Sequence, residues 1–166
     1  MFNNPFTYEV ASQLFSYDAE SGEIRWKQPQ GKKMKPGQVA GWINERGRVV
    51  VRFERKGIFG HRLAWLLHFG KWPELHLDHI NGNPADNRIA NLREVTPRVN
   101  SQNLRVASKH NKTGLLGVCP TPCGRKFLSC IGVCGKSIHL GTFATAQEAH
   151  EAYVTAKRSM HEGCTL

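Results

Sequence analysis

The chain has 166 residues, enough for one ordinary domain or two small ones, and no stretch approaches the roughly 18 consecutive apolar residues that a membrane span requires. Lysine and arginine number 23 against 13 acidic residues, a formal charge of +10 with a pI near 9.7, which favours polyanionic partners through phosphate contacts and counterion release. The start Met1-Phe2-Asn3-Asn4-Pro5 carries neither the basic cluster nor the apolar core of a secretory signal, so a cytoplasmic protein is expected.

In the first sixty residues apolar and polar positions alternate between glycine-bearing turns, as in Glu23-Ile24-Arg25-Trp26-Lys27 and Gly47-Arg48-Val49-Val50-Val51-Arg52-Phe53, and short antiparallel strands are expected there. His61-Arg62-Leu63-Ala64-Trp65-Leu66-Leu67-His68-Phe69 then places apolar residues at helical spacing, closed by Gly70 and Pro73, and predicts a helix packed on that sheet. A short strand over 75–80 leads into the turn formers of 81–87, a surface loop, and 92–95 can pair back as a second strand. Thr96 as N-cap and Pro97 at the first helical position start a helix carrying Asn100 and Asn103.

Residues 104–113 are polar and basic without an apolar period and are expected to form a linker. Beyond it, 115–119, 126–134 and 137–143 alternate as three strands with Gly124 and Gly135 at the turns. Thr145 and Glu148 make a capping box, and Ala146, Ala149, Ala152, Tyr153 and Ala156 form the apolar stripe of a final helix. Val118, Phe127, Ile131 and Leu140 share core parity on this sheet, which leaves Arg125, Lys126, Cys130 and Lys136 to a turn or to the exposed side.

The distribution of charge is one-sided. No acidic residue occurs between Glu94 and Glu148, an interval holding Arg98, Arg105, Lys109, Lys112, Arg125, Lys126 and Lys136. A second basic zone contains Lys27, Lys32, Lys33, Lys35, Arg46, Arg48, Arg52, Arg55 and Lys56, relieved only by Glu45 and Glu54. Two solvated faces would account for this pattern, but nucleic acid accounts for it better. Cys119, Cys123, Cys130 and Cys134 raise the question of structural zinc. The intervening 124–129 reads as a strand, however, and known four-cysteine sites usually place a longer segment between pairs, so reduced thiols are expected instead.

The chemistry concentrates at Asp78-His79, Asn91 and Asn100. A neutral imidazole titrates near working pH and can take a proton from water, which suits His79 as a general base. A carboxylate and an amide oxygen are hard ligands for a divalent metal that keeps several waters, a role that fits Asp78 and Asn100. Hydrolysis of a phosphodiester needs both functions together, with charge stabilisation at the phosphate.

Asp-His-Ile-Asn-Gly-Asn at 78–83, Asn-Arg-Ile-Ala-Asn-Leu-Arg at 87–93 and Asn100, preceded by His61-Arg62-Leu63-Ala64-Trp65 and Trp72-Pro73, resemble the motif of HNH endonucleases, in particular the His-Asn-Asn subgroup of phage and intron-encoded homing enzymes. The resemblance implies His79 as general base, Asp78 and Asn100 as ligands of one divalent metal, Mg²⁺ or Mn²⁺, and Asn91 as the residue that steadies loop and base. Asn100 stands where many members have histidine. The second module resembles the Apetala-two/ethylene-response-factor DNA-binding domain, through Gly117-Val118, Gly124-Arg125-Lys126-Phe127, Ile131, His139-Leu140-Gly141-Thr142-Phe143 and the run from Ala146 to Tyr153. In that family the sheet lies in the major groove and the helix braces it; Phe127 replaces the usual tryptophan.

The expectation is therefore an α+β chain. An HNH nuclease domain over 1–103, with N-terminal antiparallel strands and a helix leading into a ββα-metal motif core at 75–103, is followed by a linker at 104–113. An Apetala-two-like DNA-binding domain over 114–163, a three-stranded antiparallel sheet on one helix, completes the chain. The expected activity is metal-dependent hydrolysis of duplex DNA by a phage or mobile-element nuclease acting in a bacterial cytoplasm. It nicks once per chain and works as a monomer or weak dimer on DNA. Arg88, Arg93, Asn103, Arg125, Lys126 and Lys136 are the expected DNA contacts. A non-catalytic DNA-binding regulator with a degenerate nuclease fold is the rival reading, and an RNA-directed protein is a second. His61, at a helix start beside a sheet, reads as a hydrogen-bonded structural histidine, and Asn83 and Asn87 as turn residues.

Overall fold

The computed structural model describes residues 6–29, 31 and 34–166. Residues 1–5, on which the absence of a secretory signal was read, and Lys32 and Lys33 of the second basic zone lie outside the described residues. The chain divides into two compact units, Met1–Thr96 and Pro97–Leu166, and the architecture is α+β throughout, with small antiparallel sheets and short helices. Among the described residues no helix is long and apolar enough to cross a membrane.

The first unit opens with helix α1 (Tyr8–Leu14), where only strands were expected. Ala11 and Leu14, three positions apart, put one buried stripe on the core, and this helical period over seven residues is too short to stand out from the alternation that follows. Strands β1 (Phe15–Tyr17) and β2 (Ile24–Trp26) pair antiparallel, and β3 (Trp42–Ile43), β4 (Val49–Phe53) and β5 (Lys56–Phe59) form a second, three-stranded antiparallel sheet in that order. The β4–β5 turn is two residues long, with Glu54 and Arg55 both at positive φ (45° and 65°), the backbone that lets a two-residue loop follow the strand twist.

Helix α2 (Gly60–Phe69) ends as the sequence predicts: Gly70 adopts φ 73° and its N–H bonds to the Leu66 carbonyl. Leu63, Ala64 and Leu66 on its inner face join Phe6, Phe15, Ile24, Trp26, Val51 and Leu92 in one core, with Phe15 and Trp26 rings 4.4 Å apart. Strands β6 (His76–His79) and β7 (Leu92–Val95) make a separate antiparallel pair, and a 3-10 turn at Ile89–Asn91 leads into β7. Leu92 anchors this hairpin in the core, so the polar residues beside it are held by a rigid base.

The second unit begins with helix α3 (Pro97–Gln102). The sequence placed this helix with the nuclease domain and the boundary at 104–113; the compact unit instead starts at Pro97. Its hydrogen bonds explain the grouping. Gly163 N–H donates to Gln102 Oε1 at 3.0 Å, the Thr165 hydroxyl donates to Asn103 Oδ1, and Arg105 reaches the Thr165 carbonyl at 2.6 Å. The expected linker is tied down as well, since the buried Lys157 ammonium donates to the Leu104 carbonyl and the Asn111 amide donates to the carbonyls of Leu115 and Val118.

Strands β8 (Val118–Pro120), β9 (Phe127–Val133) and β10 (Lys136–Phe143) form an antiparallel sheet with β9 central, and helix α4 (Ala146–Met160) lies across it. Both halves of the capping box are present at Thr145 and Glu148. Val118, Ser129 and Ile131 are buried beneath Ala149 and Ala156, while Leu140 is only half-buried, next to an irregularity between His139 and Gly141.

Candidate active site

Antiparallel register sets the first contact of the site. Asp78 on β6 lies opposite Arg93 on β7, so the two side chains share a face, and Arg93 donates from Nε (3.0 Å) and Nη2 (2.8 Å) to Asp78 Oδ2. Asp78 is buried, and a buried carboxylate needs such a partner. Strand β6 ends at His79, whose carbonyl accepts from Gly82 N–H at 2.8 Å, and Gly82 turns at φ 72°. The strand thus gives way to the loop expected over 81–87.

The loop 81–86 is held chiefly by Asn91. Its Oδ1 accepts from Asn81 N–H at 2.9 Å and its Nδ2 donates to the Asp86 carbonyl at 2.8 Å, while Ile80 N–H bonds to the Asn91 carbonyl at 2.9 Å. One buried amide thus satisfies a donor and an acceptor at the two ends of a six-residue segment. Asp86 gathers Arg88 (Nε 2.8 Å, Nη2 2.6 Å) and Asn81 Nδ2 (2.6 Å). The Arg88 hydrogen bond is the leading cause that holds the Asp86 carboxyl down to about 2.

The residue that orients the imidazole is one the sequence reading assigned to a turn. Asn87 is buried, and its Oδ1 lies 3.3 Å from His79 Nε2. With the amide oxygen facing the ring, His79 Nε2 carries the proton and Nδ1 the lone pair, the tautomer inferred from this contact. Asn87 is fixed in turn by the Tyr17 hydroxyl, which donates to its carbonyl at 2.8 Å. Gly60, at the start of α2, leaves no room for a side chain here: a Cβ would come within 2.9 Å of Asn87 Nδ2.

A second histidine backs the first. The rings of His61 and His79 meet edge to face with centroids 5.2 Å apart, and His61 stacks on Phe59 at 5.7 Å. His61 is buried as expected of a structural residue. The expected hydrogen bond is not made at Nδ1, which has no partner among the described residues; aromatic packing holds the ring instead. Burial, then the neighbouring His79 and the charge of Arg48, push His61 down to about 3. His79 is lowered too: burial is the leading cause, the Asn87 hydrogen bond opposes it, and Arg48 adds to it against Asp78 and Asp86. Both imidazoles are therefore neutral at pH 7, and a neutral imidazole can accept a proton.

The remaining sequence-predicted residues are engaged in other bonds or belong to the second unit. Asn100 is half-buried on α3, in the second unit. Asn103 is buried and its Oδ1 accepts from the Thr165 hydroxyl, a bond that fastens the C-terminal segment. Arg88 and Arg93 are engaged by Asp86 and Asp78. Arg125, Lys126 and Lys136 are exposed, before β9 and at the start of β10. Among the described residues no three His, Cys, Asp or Glu side chains are grouped to hold a metal; Asp78, adjacent to His79 in β6, offers a hard anionic donor.

Residues 59–102, which contain the whole of this cluster, match the HNH endonuclease family. The chain is also similar to Protein 3.8 of Escherichia phage T7, with 37% identity over 59 residues, which are 35% of this chain and 48% of that protein. It spans about half the length of that relative. Among solved structures it is similar to one described as DNA binding and cleavage by the HNH homing endonuclease I-HmuI, with 23% identity, coverage of 90% of this chain and 88% of the other, and a TM-score of 0.39.

Proposed function

We propose that the chain is a metal-dependent endonuclease that hydrolyses phosphodiester bonds in duplex DNA, a phage or mobile-element enzyme of homing type that cuts one strand per chain. The observation that carries this reading is the buried His79, aimed by Asn87 through Nε2, next to the buried Asp78 at the end of β6 and followed by a loop pinned by Asn91. Those are the parts that phosphodiester hydrolysis demands, and they fall within the segment that matches the HNH endonuclease family.

In this reading His79 takes a proton from water at Nδ1, and the hydroxide so generated attacks phosphorus as the P–O bond to the departing 3′-oxygen breaks, that oxygen leaving as the 3′-hydroxyl after taking a proton from solvent. Asn87 holds the imidazole against rotation and stabilises the imidazolium once it forms, since the hydrogen bond to its Oδ1 favours the charged ring. Asn91 keeps loop 81–86 from drifting across the site. Asp78 and, by the resemblance, Asn100 would hold one Mg²⁺ or Mn²⁺. When bound, that ion supplies positive charge for the phosphate as negative charge builds on it. The exposed Arg125, Lys126 and Lys136 serve duplex contacts of the C-terminal sheet, in the manner of the Apetala-two-like domain it resembles. The setting that fits is a phage-infected bacterial cell.

Supercoiled-plasmid nicking with Mg²⁺ or Mn²⁺ tests the proposal. His79→Ala should lower the nicking rate by about 10²- to 10⁴-fold, the range of a general base. If purified wild-type protein and His79→Ala leave the plasmid equally untouched, the nuclease reading is wrong.

A further inference from the structure

Two of the arginines expected to grip DNA are already committed: Arg88 lies on Asp86 and Arg93 on Asp78. Beside the charge that a bound metal would supply, the first unit holds a further cation that the motif does not include. Arg48 precedes β4, is exposed, and among the described residues makes no ion pair. Its guanidinium sits over the Phe59 ring, 5.5 Å from the centroid; Phe59 stacks on His61 at 5.7 Å, and His61 meets His79 at 5.2 Å. This ladder of rings runs from a free guanidinium to the base.

The backbone under Arg48 is also fixed. Asn44 Oδ1 accepts from the N–H groups of Arg46 and Arg48, both at 3.0 Å, and Asn44 N–H donates to the Arg48 carbonyl at 2.9 Å. The turn ends at Gly47 with φ 72°, and a Cβ there would lie 3.2 Å from Cγ of Pro84, so it packs against the loop that Asn91 pins. Arg48 and Phe59 line one open groove together with Trp42, Arg46 and Glu45.

Building on the nuclease reading, we propose that Arg48 binds the phosphate of the strand to be cut, held in place by stacking on Phe59, and is a substrate-contact residue of this site. A planar guanidinium on an aromatic face is preorganised for two parallel hydrogen bonds to phosphate oxygens, which a lysine ammonium cannot reproduce.

The test compares full-length wild type, Arg48→Ala, Arg48→Lys and, as a control for simple loss of charge, Arg55→Gly in the turn at the far end of β4. Single-turnover nicking of a duplex substrate with Mg²⁺ gives kcat/KM, and metal-free duplex binding across a salt series gives the slope of log K. Arg48→Ala should lower kcat/KM roughly 100-fold, as for loss of one preorganised anion donor, and reduce the salt slope by about 1. Arg48→Lys should restore the slope but only part of kcat/KM, and Arg55→Gly should leave kcat/KM within about twofold of wild type. If wild type nicks, His79→Ala does not, and Arg48→Ala matches wild type in rate and slope, the assignment of Arg48 fails and the nuclease reading stands. If wild type does not nick with either metal, the nuclease reading fails and takes this assignment with it.

Discussion

Replacing Asn87 by alanine removes the acceptor that faces His79 Nε2 at 3.3 Å and leaves every backbone hydrogen bond in place, including that from Tyr17 to the Asn87 carbonyl. The bond is long and joins neutral groups, so its net worth is about 1 kcal/mol. Leaving a buried ring N–H unsatisfied raises the total to roughly 1–3 kcal/mol. At about 1.4 kcal/mol per tenfold in rate, kcat should fall by roughly 5- to 100-fold, with KM little changed because Asn87 is buried and contacts no substrate. The pH profile supplies the sharper assay. His79 works as the neutral ring, so the acidic limb of kcat marks its protonation; the Asn87 bond raises that pKa against the dominant effect of burial. Without the bond the limb should move to lower pH, whereas Asn87→Asp, which sets a carboxylate against the ring, should move it to higher pH and retain activity above it. An Asn87→Ala enzyme with unchanged kcat, or with its limb moved upward, would refute the positioning role.

His61 makes folding stability depend on pH. Its pKa is near 6.5 unfolded and about 3 folded, so between those values the unfolded chain binds the extra proton. The stability this ring contributes is therefore complete above about pH 6.5 and is lost as pH falls toward 3, at up to about 1.4 kcal/mol per pH unit. His61→Phe keeps the aromatic contact with Phe59 and His79 and should flatten that slope in urea denaturation between pH 7.5 and 5; an unchanged slope would place the proton uptake elsewhere. In the second unit, a Cβ at Gly117 would lie 1.9 Å from Cδ2 of Tyr153, on backbone at φ 73°. Gly117→Ala should therefore displace Tyr153 from its place on α4 and cost several kcal/mol, roughly the upper end of overpacking effects, read as a lost or sharply lowered melting transition. A melting temperature within a few degrees of wild type would show that the close approach is not needed.

The elements with strong punctuation or clear alternation were legible in the chain, and a short helix settled by tertiary burial was not. Gly70 marked the end of α2 and Thr145 with Glu148 the start of α4, because caps are local hydrogen bonds between residues a few positions apart. The seven residues of α1 carry no such signal: Thr7 precedes them, but its side chain makes no cap bond, and tertiary burial of Ala11 and Leu14 decides the conformation. The same division runs through the site. Asp78, His79 and Asn91 could be picked out by spacing, whereas Asn87 reads as one more polar loop residue until the fold brings it to the ring.

The arginines show most plainly what spacing cannot carry. Arg88 and Arg93 lie within the motif and are basic, which by sequence makes them phosphate contacts; the register of β6 on β7 sets Arg93 opposite Asp78, and loop closure sets Arg88 on Asp86. A cation bonded twice to a buried carboxylate is costly to withdraw, because the carboxylate would be left buried and unpaired. Arg48 has no such ion pair among the described residues, yet it lies thirty-one residues before His79, just ahead of a strand of a different sheet, and the stacking through Phe59 and His61 connects it to the base. Its position also fits its exposure, since a guanidinium that must bind and release a phosphate in each turnover has to be reachable from solvent and held by a face rather than by a charge.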